Sequence, residues 1–230
     1  MYKAVVFDIG QTLIQYNKPL NWSSLYKPAL EYMAEECDYL ITDEQIEQII
    51  NILTKYNTRV NPREYEVSSD VIFDEIFDVL KENKEGMSKA KEAFYLYFRR
   101  ESYPFDEVKE TLAELKELGI KTATLSDVAY GMDNIYALED ISSIKEYIDY
   151  PLTSNDIGYR KPHIKGLEVI SDKMGISLEE MIYVGDEAKD MVCANNAGAY
   201  SVLINRSKEV KEYNQKKEIA SLSELLEIVR

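Results

Sequence analysis

Apolar positions along this chain fall into two rhythms. Ala4 to Phe7 is an unbroken apolar, β-branched run that stops at Asp8 and the breaker Gly10, the pattern of a strand buried on both faces. The spacing then turns helical. Trp22, Leu25, Tyr26, Ala29, Leu30, Met33, Ala34 and Cys37 predict an amphipathic helix over Trp22 to Cys37. Thr42 and Gln45 make a capping-box pattern ahead of Ile46, Ile49, Ile50 and Leu53, which predicts a second helix. A third is predicted from about Asp70 to Leu80 and a fourth from Ser88 to Arg100, with no strand-like alternation between them.

The mixed pattern resumes at Phe105. Val108, Leu112, Leu115 and Leu118 predict a helix that stops at Gly119, followed by a strand over Ile120 to Leu125 that ends at Ser126-Asp127. After a loop-and-helix region, a short strand is expected at Leu152 to Ser154 and a helix over Ile164 to Met174. Then come a strand from Met181 to Val184 closed by Gly185-Asp186, a helix over Ala188 to Ala197, a strand from Tyr200 to Ile204, and a last helix opened by the capping box Ser221 to Glu224. Alternating strands and helices imply an α/β fold, a Rossmann-like parallel sheet with right-handed crossovers. The expected organisation is a core of residues 1–15 and 103–230 interrupted by a mainly helical cap over 16–102.

Length and charge narrow the class. A chain of 230 residues is large enough for one α/β domain with a sizeable insertion. A formal net charge of -15 argues against nucleic-acid binding, which needs clustered Lys and Arg. No stretch approaches the roughly 20 apolar residues of a membrane span, so no membrane partner and a cytoplasmic location are expected. Cys37 and Cys193 read as two reduced thiols, and the single histidine, His163, disfavours mechanisms built on a His base.

The candidate chemistry follows from topology. Asp8, Ser126 and Asp186 each follow the carboxyl end of a predicted strand, and a parallel sheet brings such ends to one edge, where ligands bind. An aspartate capping the next turn is the plainer reading of Asp8 by itself. Lys161, in a loop before a helix, can reach the same edge. Two carboxylates, a hydroxyl and an ammonium suit a phosphoryl group. One carboxylate can attack phosphorus, the other can hold Mg²⁺, and the cation offsets charge. Mutual repulsion of the carboxylates itself asks for a divalent, oxygen-loving ion.

These residues resemble the haloacid dehalogenase (HAD) superfamily, in the subgroup with a helical cap inserted after the first motif. The resemblance rests on Asp8-Ile9-Gly10-Gln11-Thr12-Leu13, Thr124-Leu125-Ser126-Asp127, Lys161-Pro162 and Gly185-Asp186-Glu187-Ala188-Lys189-Asp190, in this order, and covers essentially the whole chain. It implies Asp8 as the nucleophile of a Mg²⁺-dependent phosphatase, forming an aspartyl-phosphate on a small phosphorylated metabolite. Ser126 and Lys161 would hold the phosphoryl group, with Asp127 beside them and amides of the Gly10, Gln11 and Thr12 turn as further donors. Asp8, the Gly10 carbonyl and Asp186 would bind the metal. Asp190 would act from its inner or outer shell, with Glu187 as the competitor. A monomer or homodimer is expected.

One position departs from the pattern. Phosphatases of this type usually carry a second aspartate two residues after the nucleophile as general acid and base, and here that position is Gly10. Loss of a positioned acid/base costs on the order of a hundred- to ten-thousand-fold in rate. Alternatives to a phosphatase with a substitute acid are a non-catalytic phospholigand-binding protein, a dehalogenase, or a phosphonate-cleaving enzyme with Lys55 as its Schiff-base lysine. Arg59, Arg63 and Tyr65 fall in a polar loop, Tyr56 to Ser69, that reads as an exposed connector or as a substrate-facing loop. Tyr65, Tyr130 and Tyr159 are candidates to line an entrance. His163 reads as a residue of a loop or helix start.

Overall fold

The computed structural model describes residues 1–207 and 209–230. Its centre is a six-stranded, wholly parallel sheet of β1 (Ala4–Phe7), β4 (Lys121–Ser126), β5 (Tyr150–Thr153), β6 (Met181–Gly185), β7 (Tyr200–Ile204) and β8 (Lys217–Ile219), in the order β5-β4-β1-β6-β7-β8. All four residues of β1 are buried, as a strand covered on both faces requires. Its side chains alternate. Val5 and Phe7 join α5 (Val108–Glu117) and α10 (Leu225–Val229) in one core, while Ala4 and Val6 join α8 (Lys165–Met174) and α9 (Ala188–Ala197) in another.

The strand order positions the chemistry. From β1 the chain adds β4 and β5 on one side and then crosses back to add β6, β7 and β8 on the other. The carboxyl end of β1 therefore sits where the winding reverses, between the ends of β4 and β6, and such a switch point leaves a crevice.

A second layer is helical: α1 (Tyr26–Cys37), α2 (Asp43–Tyr56), α3 (Ser69–Leu80) and α4 (Met87–Tyr97) bury their apolar faces in a cluster of their own. Leu30, Met33, Ile49, Leu53, Phe73, Phe77 and Phe94 fill it, and Trp22 stacks on Phe98 at 3.9 Å between ring centroids. The Thr42–Gln45 box caps α2 as its sequence predicts. In this layer two predicted helix bounds shift by about a turn, while β5 lies at Tyr150–Thr153 rather than Leu152–Ser154. The first helix opens with a 3-10 turn at Ser23–Leu25, and the fourth stops at Tyr97 rather than Arg100.

The spacing showed no strand around this layer, yet β2 (Ile14–Tyr16) and β3 (Ser102–Pro104) pair antiparallel where the chain enters and leaves it. Three residues are too few to display alternation, and it is the partner strand that makes the ribbon. The same reason hid β8. The short helices α6 (Asn134–Ala137) and α7 (Ser154–Ile157) complete the connections around β5.

Residues 57–68 pack onto the core and are not a free connector. Glu66 donates its amide to the Gly158 carbonyl at 2.9 Å, and Arg160 donates to the Glu64 carbonyl at 2.8 Å. Under this seam the Arg160 guanidinium is bonded to Glu66, and Arg63 lies 3.6 Å from the same carboxylate. Burial and the neighbouring Arg160 lower the pKa of Arg63.

Candidate active site

Asp8 continues the β1 ladder, its amide donating to the Val184 carbonyl at 2.9 Å, and its side chain turns into the crevice. There the Lys161 ammonium, whose side chain is 2% exposed, stands 2.6 Å from Asp8 Oδ1 and 2.8 Å from Asp190 Oδ1. Asp190 is fully buried, and both of its oxygens already accept hydrogen bonds. Tyr183 donates its hydroxyl to Oδ1 at 3.3 Å, and the Glu187 amide donates to Oδ2 at 3.0 Å as part of the box that caps α9. Gly185 makes room for it. A Cβ there would stand 2.4 Å from the Asp190 carboxyl carbon.

Asp186 follows β6 directly, beside this chain of charges. Asp8, Asp186 and Asp190 each present a carboxylate oxygen within 4.8 Å of the others, and Glu187 is outside the group, paired instead with Lys189 at 2.9 Å. The electrostatic consequence is large. Burial, joined by the charges of Asp8, Asp190 and Glu187, pushes the Asp186 carboxyl up to about 7. Burial likewise lifts Asp8 to about 6, against the pull of Lys161 and with the push of Asp190. Lys161 itself is held well above its ordinary value by Asp190 and Asp8 in spite of its burial. Three carboxylates around one ammonium are short of positive charge. Hard oxygen donors converging in that state suit a divalent cation such as Mg²⁺.

The remaining predicted residues separate. Ser126 ends β4 beside Asp8, because Phe7 is in register with Thr124, and it lines a cavity of about 700 Å³. The cavity extends between the sheet edge and the helical layer, past Ile9, Tyr16, Trp22 and Arg100. Asp127 also reaches it, but both its oxygens are engaged. Oδ1 accepts the Lys161 amide at 3.0 Å, and Oδ2 pairs with Lys189 at 3.1 Å. Asp127 thus fixes the Lys161 loop and has no spare oxygen for a leaving group. Lys161, Lys189 and Arg160 keep it below its ordinary pKa despite burial.

The turn after β1 supplies fewer donors than its sequence suggested. The Gln11 amide is committed to the Ile14 carbonyl at 2.7 Å, so it is closed to a phosphoryl oxygen, and the Gln11 side chain is exposed. Thr12 is fully buried, and its Oγ1 has no hydrogen-bond partner among the described residues. Among the described residues a Cβ at Gly10 would meet within 4 Å only the Tyr16 ring and hydroxyl, each at 3.8 Å, so the backbone leaves space for a side chain that the sequence does not provide.

Residues 5–204 match the model of the haloacid dehalogenase-like hydrolase family. This chain belongs to that family. Haloacid dehalogenase-like relatives include the glyceraldehyde 3-phosphate phosphatase of Methanopyrus kandleri, 28% identical over 244 aligned positions that cover 100% of this chain and 98% of that protein. The Methanocaldococcus jannaschii protein of the same name is 32% identical over 134 residues, 55% of this chain and 57% of its own length. In three dimensions the fold is similar to that of a 2-haloacid dehalogenase from Pseudomonas syringae, with a TM-score of 0.69, 20% identity and coverage of 100% and 98% of the two chains.

For a haloacid dehalogenase-like hydrolase, sequence alone pointed to much of this constellation but missed its supports. Tyr183 carries no motif signal of its own, and Lys189 stands inside the fourth motif without an assigned role, since their partners become visible only once β6 and α9 are packed. Of the other candidates, His163 accepts the Lys165 amide at 3.1 Å at the start of α8, and Tyr159 stacks on its ring. Tyr130 is buried among the helices, while Tyr65 and Arg59 remain exposed. Lys55 is bound to Glu75 at 2.7 Å on an exposed helix surface, poorly placed for a Schiff base.

Proposed function

We propose that this chain is a Mg²⁺-dependent phosphatase that hydrolyses a small phosphorylated metabolite through an aspartyl-phosphate on Asp8. The observation that carries the reading is the buried charge chain Asp8, Lys161 and Asp190 with Asp186 alongside. An Asp8 oxygen attacks phosphorus and the ester bond to the leaving oxygen breaks. Water then attacks the same phosphorus and releases phosphate, restoring Asp8. Lys161 keeps Asp8 ionised and offsets charge on the transferring group, and Ser126 donates to one of its oxygens. Asp190 and Asp127 hold Lys161 from behind.

Asp8, Asp186 and the Gly10 carbonyl would hold Mg²⁺, which when bound neutralises phosphoryl charge and orients the nucleophile. Asp190, with its oxygens engaged, belongs behind that shell. Residues 16–102 act as the cap that closes the cavity and selects the metabolite. The names of the relatives above favour a phosphatase over a dehalogenase, and glyceraldehyde 3-phosphate is the first substrate to try. A cytoplasmic monomer or homodimer fits the reading; among the described residues no helix is long and apolar enough to cross a membrane.

The bare Gly10 supports one second reading, a protein that binds phosphorylated ligands without turning them over. Hydrolysis of p-nitrophenyl phosphate and a panel of metabolite phosphates, with Mg²⁺ and with EDTA, separates the two. Metal-dependent turnover lost in Asp8→Asn is the expected result. No turnover of any ester, with Mg²⁺ still bound, selects the binding role.

A further inference from the structure

Two core loops set the backbone of Lys161: the one before α8, which carries it, and the one after β4, whose Asp127 accepts the Lys161 amide at 3.0 Å. Both are gripped by one residue of the inserted helical layer. The Glu66 carboxylate binds the guanidinium of Arg160, the residue before Lys161, and accepts the Ser154 hydroxyl at 2.6 Å. Ser154 in turn accepts the Val128 amide at 3.0 Å, and Arg160 donates to the Val128 carbonyl at 2.7 Å. Val128 directly follows Asp127. Two short routes therefore lead from Glu66 to Lys161, one through Arg160 and one through Ser154, Val128 and Asp127.

We propose that Glu66 is a positioning residue for Lys161, so that the site is complete only while residues 64–69 of the insertion are seated on the core. The proposal rests on the phosphatase reading for its effect on turnover. Among the described residues Glu66 has no bond to Asp8, Ser126 or Lys161, and it acts through its partners.

The seating is built on both sides. The Glu66 amide donates to the Gly158 carbonyl at 2.9 Å, the Arg160 amide to the Glu64 carbonyl at 2.8 Å, and the Ser69 amide to the Gly131 carbonyl at 3.2 Å. Gly131 has a φ of 63°, and a Cβ there would collide with the Val67 carbonyl and the Ser69 amide, so the segment after β4 is shaped to receive this loop. Burial stiffens the link. The Glu66 side chain is 2% exposed and Ser154 is fully buried, and a satisfied polar network away from water holds its members in one geometry. Lys161 Nζ stands 2.6 Å from Asp8 Oδ1, where a displacement of about 1 Å costs on the order of a hundredfold in rate.

Steady-state kinetics on p-nitrophenyl phosphate and residue-resolved amide hydrogen exchange test this, under conditions where urea unfolding shows each variant folded. Loss of wild-type turnover in Asp8→Asn establishes the phosphatase reading by itself. Glu66→Gln should lower kcat on the order of a hundredfold and leave KM within about threefold. It should also speed exchange of the Lys161 amide roughly tenfold more than that of the β1 and β6 amides, whereas general destabilisation would speed all of them together. Ser154→Ala cuts only the route through Val128, so it should do both to a smaller degree, and it carries the test if Glu66→Gln does not fold. Sucrose that restores the urea stability of Glu66→Gln should leave kcat low, while a merely structural loss would be repaired. Wild-type kcat and Lys161 exchange in the folded variants, or recovery of kcat along with stability, would overturn the proposal. Absence of Asp8-dependent turnover in the wild type would remove the phosphatase reading, and Lys161 exchange would then decide by itself whether Glu66 positions this residue.

Discussion

Gly185 and Asp190 approach so closely that no other residue fits at position 185: a Cβ would stand 2.4 Å from the Asp190 carboxyl carbon. The close approach aims Asp190 at Lys161, and Lys161 at Asp8. A methyl group there must displace Asp190 or the start of α9. Gly185→Ala should therefore destabilise the fold by about 1–3 kcal/mol, the usual cost of overpacking, and reduce kcat more than tenfold. Urea unfolding and steady-state kinetics check it. Unchanged values would mean that Asp190 does not orient Lys161.

Asp8→Asn keeps size and shape but removes the nucleophile. Turnover should fall at least a thousandfold, while far-UV circular dichroism stays that of the wild type. Rapid acid quench during turnover should trap labelled phosphate on the wild-type protein and none on Asp8→Asn. Label on both would place the nucleophile elsewhere.

The metal-free site has a signed pH dependence. Asp186 is pushed up to about 7 and Asp8 to about 6, both above their unfolded value of 3.8. A raised carboxyl binds more protons folded than unfolded, so its contribution to stability falls as pH rises from about 4 to 7 and is regained on acidification. With EDTA, Tm contributed by these groups should thus be higher at pH 5.5 than at pH 8. At about 1.4 kcal/mol per unit, Asp186→Asn should stabilise the metal-free protein at pH 8 by on the order of 1–3 kcal/mol. The same substitution should abolish any rise in Tm on adding Mg²⁺. A Tm increase by Mg²⁺ that survives Asp186→Asn would refute this site.

Glu66 is the shared partner of two buried guanidiniums, its side chain 2% exposed against 7% for Arg160 and 8% for Arg63. Glu66→Gln leaves two like charges buried without their counter-charge. The loss should be about 3–5 kcal/mol in urea unfolding, with residues 57–68 released first in hydrogen exchange. A loss within about 0.5 kcal/mol would show that water already screens the seam.

Much was legible in the sequence because it is carried locally. The buried strand β1, the helical insertion, the Thr42 and Ser221 capping boxes and the ends of β4 and β6 all depend on residues within one turn or strand of each other. A parallel sheet then places Asp8, Ser126 and Asp186 along one edge, whatever their separation in the chain.

Side-chain partnerships across that edge were not legible, because they join residues that only packing brings together. Asp127 reads like a free acid beside Ser126 until the Lys161 amide and Lys189 claim it. Gln11 reads like a phosphate donor until its amide turns to Ile14. Tyr16 is 124 residues from Asp140, and nothing around either signals the other. The amino-acid sequence by itself determined the layered α/β plan and which strand ends carry charge, since hydrophobic period and capping act over a few residues. Only the tertiary structure decided which charges pair, which donors stay open and what stands beside Gly10, since burial and the geometry of distant elements set those.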